Sequence, residues 1–180
     1  IVALLTPPPP AAGRGGAPGG APGGPAAPAQ VASEKMADGV YRITGGYVAI
    51  AVEFSDHIVV LESGQSEMRG QAVLAEARRV IPNKPIRYVV NTHHHSDHSG
   101  GLRAIVAEGI PILTHQSNKA YYEKLFRNPS QIVPDRLSRT PKAAIIEGVG
   151  DKRVLTDGTR TVELHHLSGN LHADSLLVVY

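Results

Sequence analysis

Apolar and polar positions fall into a mixed order from Val40 onward. Two short β-branched segments, 40–44 and 47–53, are separated by Gly45-Gly46, which reads as a hairpin turn. The run Ile58-Val59-Val60-Leu61 is continuously apolar, as expected of a strand buried on both faces. Ser66 can cap a helix whose apolar positions Val73, Leu74, Ala77, Val80 and Ile81 recur at helical spacing until Pro82 stops it. A strand over 86–90 follows, then a histidine-rich loop, then a helix carrying Leu102, Ile105 and Val106 that ends near Gly109. Next come a strand over 110–114, a helix over 119–126 and a loop over 128–140 with two prolines. The segments 154–156 and 161–164 flank Asp157-Gly158, a hairpin signal. A last strand is expected over 175–180, where the sequence stops inside an apolar run, consistent with a truncated domain. Strands, then strand–helix alternation, then strands again give an α/β fold in layers.

Composition divides the chain. From Pro7 to Gln30 nearly every residue is Pro, Gly or Ala. Such a segment has too little apolar side-chain area to offset the entropy of ordering it, so residues 1–30 are expected to be disordered and 31–180 to hold the domain. The apolar residues 1–5 before this spacer read as the remnant of a signal peptide, which implies a periplasmic or secreted protein. A formal net charge of +2, with Lys and Arg scattered, gives no nucleic-acid-binding surface. No apolar run approaches the ~20 residues that span a bilayer. There is no cysteine, so there is no disulfide and no thiolate to bind metal.

Four of the nine histidines lie in Asn91-Thr92-His93-His94-His95-Ser96-Asp97-His98-Ser99-Gly100-Gly101. The cluster follows a buried strand and precedes a helix, where ligand-binding loops gather in α/β sheets. Residues two apart in an extended segment project to one side, so His93 and His95 can grip one cation while His94 points away. Asp97 and His98 follow after a turn and can reach a second cation. Imidazole and carboxylate are donors that zinc accepts.

His93-x-His95-x-Asp97-His98 after an apolar strand, followed by Gly100-Gly101, resembles the signature of the metallo-β-lactamase superfamily. Gly169-Asn170-Leu171-His172-Ala173-Asp174-Ser175 before a strand resembles that family's next ligand loop. The resemblance implies an αββα sandwich, here truncated before its carboxyl-terminal part. It implies two zinc ions per complete domain, the first held by His93, His95 and His172, the second by Asp97 and His98 with ligands beyond Tyr180. Histidine at position 98 is similar to the branch that has histidine in its second site. The implied activity is hydrolysis of a small-molecule amide, ester, lactone or thioester by a metal-bound hydroxide, with Asp97 as the catalytic residue that orients it. The sequence departs from the family at Leu61-Glu62-Ser63-Gly64, where an aspartate commonly braces the metal loop and Glu62 is the available substitute.

The remaining histidines draw less. His115 and His165-His166 end predicted strands and read as packing residues or supports behind the ligands, with His166 the one expected to face the cleft. His57 is expected to be exposed in a turn, and one ring of Tyr121-Tyr122 to enter the core. Two other classes fit the same residues: an iron-dependent redox enzyme on this fold, and a noncatalytic metal-binding protein.

Overall fold

The computed structural model describes residues 30–180, so the Pro/Gly/Ala segment and the apolar residues 1–5 lie outside the described residues. Seven strands form one sheet in chain order: β1 (Ala32–Ala37), β2 (Val40–Thr44), β3 (Ala49–Glu53), β4 (Ile58–Leu61), β5 (Ile86–Val90), β6 (Ile112–His115) and β7 (Ile146–Val149). β1 to β4 run antiparallel as hairpins, and β4 to β7 run parallel. Helices α1 (Glu67–Val80), α3 (Leu102–Glu108) and α4 (Lys119–Arg127) make the crossovers between the parallel strands. The short α2 (Ser96–Ser99) lies inside the histidine loop, and α5 (Arg136–Arg139) lies before β7. A second, antiparallel sheet has β9 (Thr161–His166) between β8 (Lys152–Thr156) and β10 (Leu177–Val179).

Alternation along the central strands sets the layers. Ile58, Val60, Val89 and Ile112 face the helices, where they pack with Val73 and Leu74 of α1, Ile105 of α3 and Tyr122 of α4. Their neighbours Val59, Val90 and Leu113 face the other way, onto Leu155, Val162, Leu164 and Leu177 of the small sheet. Each of these strands is thus buried on both faces, which is why its sequence is continuously apolar. The result is an α/β/β stack with every central strand ending near one rim.

Ser66 caps α1 by accepting the Arg69 amide, and the helix stops before Pro82. The loop expected over 128–140 contains α5, whose N-terminus Asp135 caps through the Ser138 amide at 2.7 Å. β1 and β7 were not legible: β1 is polar and almost wholly exposed, and β7 is four residues long. The strand expected to begin at Tyr47 begins at Ala49, leaving Tyr47 and Val48 exposed at the hairpin. That hairpin is clamped from α1. Arg69, fully buried, donates from Nη1 to the Thr44 carbonyl at 2.8 Å and from Nη2 to the carbonyls of Ile43 and Tyr47 at 3.1 and 3.0 Å.

Candidate metal centre

β5 delivers the chain into the histidine loop. Asn91, buried at its end, donates its backbone amide to Leu113 of β6, and its side-chain oxygen accepts the Tyr122 hydroxyl at 2.6 Å. Thr92 donates its amide to Glu62 Oε1 at 3.2 Å and its hydroxyl to the same carboxylate oxygen. A carboxylate can only accept, so the Thr92 hydroxyl proton is committed to Glu62. The hydroxyl oxygen, 2.9 Å from His93 Nδ1, is then left to accept, and His93 carries its proton on Nδ1. His93 Nε2 is therefore the bare nitrogen.

That nitrogen lies 3.0 Å from His172 Nε2, which in turn lies 3.1 Å from His95 Nδ1. His93, His95 and His172 each bring one ring nitrogen into a common cluster in which all separations are within 4.8 Å. Burial, and then the neighbouring rings of His98, His95 and His172, push the His93 pKa down to about 4. It is neutral at pH 7, the form that ligates metal. His94 is exposed, its ring 5.0 Å from that of His95 and 6.3 Å from that of Tyr121, and belongs to no cluster.

α2 turns the chain so that Asp97 and His98 come back to the same place. His98 Nδ1 lies 3.3 Å from Glu62 Oε1, an ion-pair distance with poor hydrogen-bond alignment, and its Nε2 lies 3.4 Å from Asp97 Oδ2. The contact with Glu62 raises the His98 pKa against the opposing effect of burial. Glu62, His93 and His98 form a second group of converging donor atoms, and Asp97 falls in neither group of three. Glu62 already receives Thr92 at Oε1, and its Oε2 lies 3.4 Å from the Asn91 side-chain Nδ2, so its role here is to hold the loop. It does so from a left-handed backbone, φ 69°, uncommon outside glycine and often found beside functional sites.

Two glycines let the loop close. The Gly101 amide donates to the Gly64 carbonyl at 2.9 Å, and a Cβ on Gly101 would sit 2.3 Å from the Ser63 carbonyl oxygen. A Cβ on Gly100 would meet the Gln65 carbonyl oxygen at 2.4 Å. Ser63 Oγ also donates to the His98 carbonyl at 3.0 Å. His172 arrives from the β9–β10 loop, where the Asn170 side chain accepts the His172 amide at 2.8 Å. The Leu177 amide then donates to the Thr92 carbonyl at 2.9 Å, joining the two loops.

Residues 43–175 match the family model of the metallo-beta-lactamase superfamily. The chain belongs to that superfamily. Among curated proteins it is 39% identical over 57 residues to a linear primary-alkylsulfatase of Pseudomonas sp., covering 32% of this chain and 11% of that protein. It is 33% identical over 76 residues to an alkyl/aryl-sulfatase of Saccharomyces cerevisiae, covering 41% of this chain and 12% of the other. The chain thus matches about a tenth of the length of these relatives. Among solved structures, a metallo-beta-lactamase from Pontibacter korlensis superposes with a TM-score of 0.62 at 21% identity, covering 84% of this chain and 66% of the other. One from Hirschia baltica gives 0.59 at 21% identity, covering 83% and 65%. At these identities the superposition establishes the mixed α/β superfamily fold.

Histidines outside the cluster differ from expectation in one case. His57 is buried, stacked on Phe54 with ring centroids 4.6 Å apart and bonded to Asp56 at 2.6 Å. Its neighbour Asp56 suggested a turn, but the ring folds back over the apolar side of the sheet. His115 is buried and stacks on His166, ring centroids 4.0 Å apart and planes 24° from parallel. His165 pairs with Glu163 at 2.8 Å. Tyr122 is fully buried, while Tyr121 stays exposed. Among the described residues no helix is long and apolar enough to cross a membrane.

Proposed function

We propose that the chain carries the metal-binding core of a zinc-dependent hydrolase acting on a small molecule, and that it works outside the cytosol. The observation that supports this reading is the convergence of His93 Nε2, His95 Nδ1 and His172 Nε2. His172 Nε2 stands 3.0 Å from His93 Nε2 and 3.1 Å from His95 Nδ1, so three ring nitrogens turn toward one point that a cation can fill. Four ligands arranged tetrahedrally about 2.0–2.1 Å from zinc are roughly 3.3 Å apart, close to the spacing seen. The residues therefore fit the metal, three imidazoles leaving a position open. A zinc so held would supply Lewis acidity and bring the pKa of a bound water down to about 7.

The chain's own residues divide the remaining work. Asp97 and His98 are the two donors it offers a second cation, with His98 Nε2 turned to Asp97 while Nδ1 faces Glu62. A carboxylate behind an imidazole fixes its orientation and raises its basicity. Asp97, about one-third exposed, is the carboxylate placed to accept a hydrogen bond from an attacking water and would orient it toward a substrate carbonyl. Exposed Tyr47 lies 6.1 Å from the His98 ring, on one flank of the site. An amide, ester, lactone or thioester suits such an arrangement. A sulfate ester is the second reading, favoured by the partial likeness to two sulfatases.

The full-length protein, purified without added metal, should contain zinc by elemental analysis. It should turn over at least one member of a panel of lactam, lactone, thioester and alkyl sulfate substrates. Chelation should abolish that turnover and added zinc restore it. Turnover that survives complete chelation would sink the proposal, and iron as the native metal would move the protein to the redox class.

A further inference from the structure

The stacked pair His115–His166 is not used by the metal site, yet it joins the two sheets at the rim where that site lies. His115 ends β6 in the large sheet, and His166 ends β9 in the small one. His166 Nε2 lies 2.6 Å from the backbone carbonyl oxygen of Asp174. A carbonyl oxygen only accepts, so His166 carries its proton on Nε2 and donates it there. Asp174 stands two residues after His172, on the far limb of the loop that presents that imidazole. On the buried side, His115 Nδ1 lies 2.8 Å from Ser117 Oγ and 3.4 Å from the Ser117 amide, which can only donate. The His115 ring is thereby fixed in plane and forms a flat wall against which His166 lies.

The rest of the loop is held by buried Ala173 and Ser175, by the Ala173 amide donating to the Asn170 side chain, and at its end by the Leu177 amide on the Thr92 carbonyl. Leu171 and His172 are exposed, and a Cβ on Gly169 would meet nothing within 4 Å. The near limb is held by the Asn170 side chain, and the base by the Leu167 amide donating to the Leu176 carbonyl at 2.9 Å. On the far limb, the Leu176 amide reaches the Ala173 carbonyl at 3.1 Å, a bond internal to the loop. The His166 donor ties that limb to the body of the sheet.

We propose that His166, braced by His115, is a positioning residue that holds the loop of His172 in its metal-binding geometry. This rests on the reading of His93, His95 and His172 as the first metal site. His166 touches none of the three nitrogens and acts through the backbone of Asp174. Supports of this kind behind metal ligands are worth roughly 10–100-fold in affinity.

The test is zinc affinity of the full-length protein, measured by competition with a chromogenic chelator, with the absorption spectrum of the cobalt-loaded form as a second readout. H166F keeps a ring on the stack but has no donor, and should bind the first zinc about tenfold or more weakly, with an altered cobalt spectrum. H166Q places an amide donor near the position of Nε2 and should recover most of the affinity. H115F keeps the wall and every bond of His166, and should bind within about threefold of wild type if the bond to Asp174 carries the effect. Should H166F fail to fold, H166N, whose amide is too short to reach Asp174, takes its place. Wild-type affinity in H166F or H166N overturns the inference, as does a loss in H115F equal to that in H166F, or no recovery in H166Q. A wild-type protein that takes up no zinc overturns the metal-site reading along with it.

Discussion

Replacing His172 by Ala in the full-length protein is expected to strip the first metal and with it all measurable turnover, while His94→Ala leaves metal content nearly unchanged. Both residues are exposed histidines in loops at the same rim, so exposure does not separate them. Geometry does. His172 Nε2 is central in the nitrogen cluster, 3.0 Å from His93 and 3.1 Å from His95. Without it, only the two donors of the histidine loop remain, and the β9–β10 loop that closes the cluster contributes nothing. Since partners merely behind a ligand are worth 10–100-fold, loss of the ligand itself should cost more than about 100-fold. His94 is exposed, its ring lies beside those of His95 and Tyr121, and it brings no nitrogen into either donor group. Metal content after dialysis, with melting curves to confirm folding, reads both variants. Metal lost in His94→Ala and retained in His95→Ala would mean that the register of the loop is wrong.

Asp97→Asn should lower kcat and kcat/KM together by about a hundredfold, the scale seen when one electrostatic or orienting group is removed from a site. The amide keeps the shape of the side chain but loses the charge that faces His98 Nε2 at 3.4 Å and would help hold a second cation. It also accepts a hydrogen bond from the attacking water less strongly than a carboxylate. Because the first cluster does not include Asp97, the first metal should remain. The combination of retained first-site zinc and lost turnover separates this variant from His172→Ala. Steady-state rates on the best substrate, with zinc measured in parallel, give the result, and a wild-type rate would remove Asp97 from the reaction.

What could be read from the sequence was whatever one segment encodes by itself. The spacing of His93, His95 and His98 around an extended stretch and a turn is local, and so is the α1 helix between Ser66 and Pro82. The buried parallel strands announced themselves because both faces are covered. The parts that were missed depend on residues far apart in sequence. β1 is a polar edge strand held by its pairing with β2 and by a bond from Arg79 of α1 to Ser33. Glu62 is legible as the substitute brace of the metal loop, but the left-handed turn that sets it under Thr92 and behind His98 is specified by no pattern of residue types. Arg69 reads as a polar position on a helix and is instead a fully buried clamp on a hairpin more than twenty residues upstream. The stack of His115 on His166 joins two sheets, and neither segment foretells the other.

The central claim is that three imidazoles of this chain hold one metal ion. X-ray absorption at the zinc edge, on full-length protein loaded with a single equivalent of zinc, tests it most directly. The account predicts three imidazole nitrogens at about 2.0–2.1 Å with one further light ligand, falling to two imidazoles or to no bound zinc in His172→Ala. A shell of oxygen ligands alone, or an unchanged spectrum in His172→Ala, would contradict it.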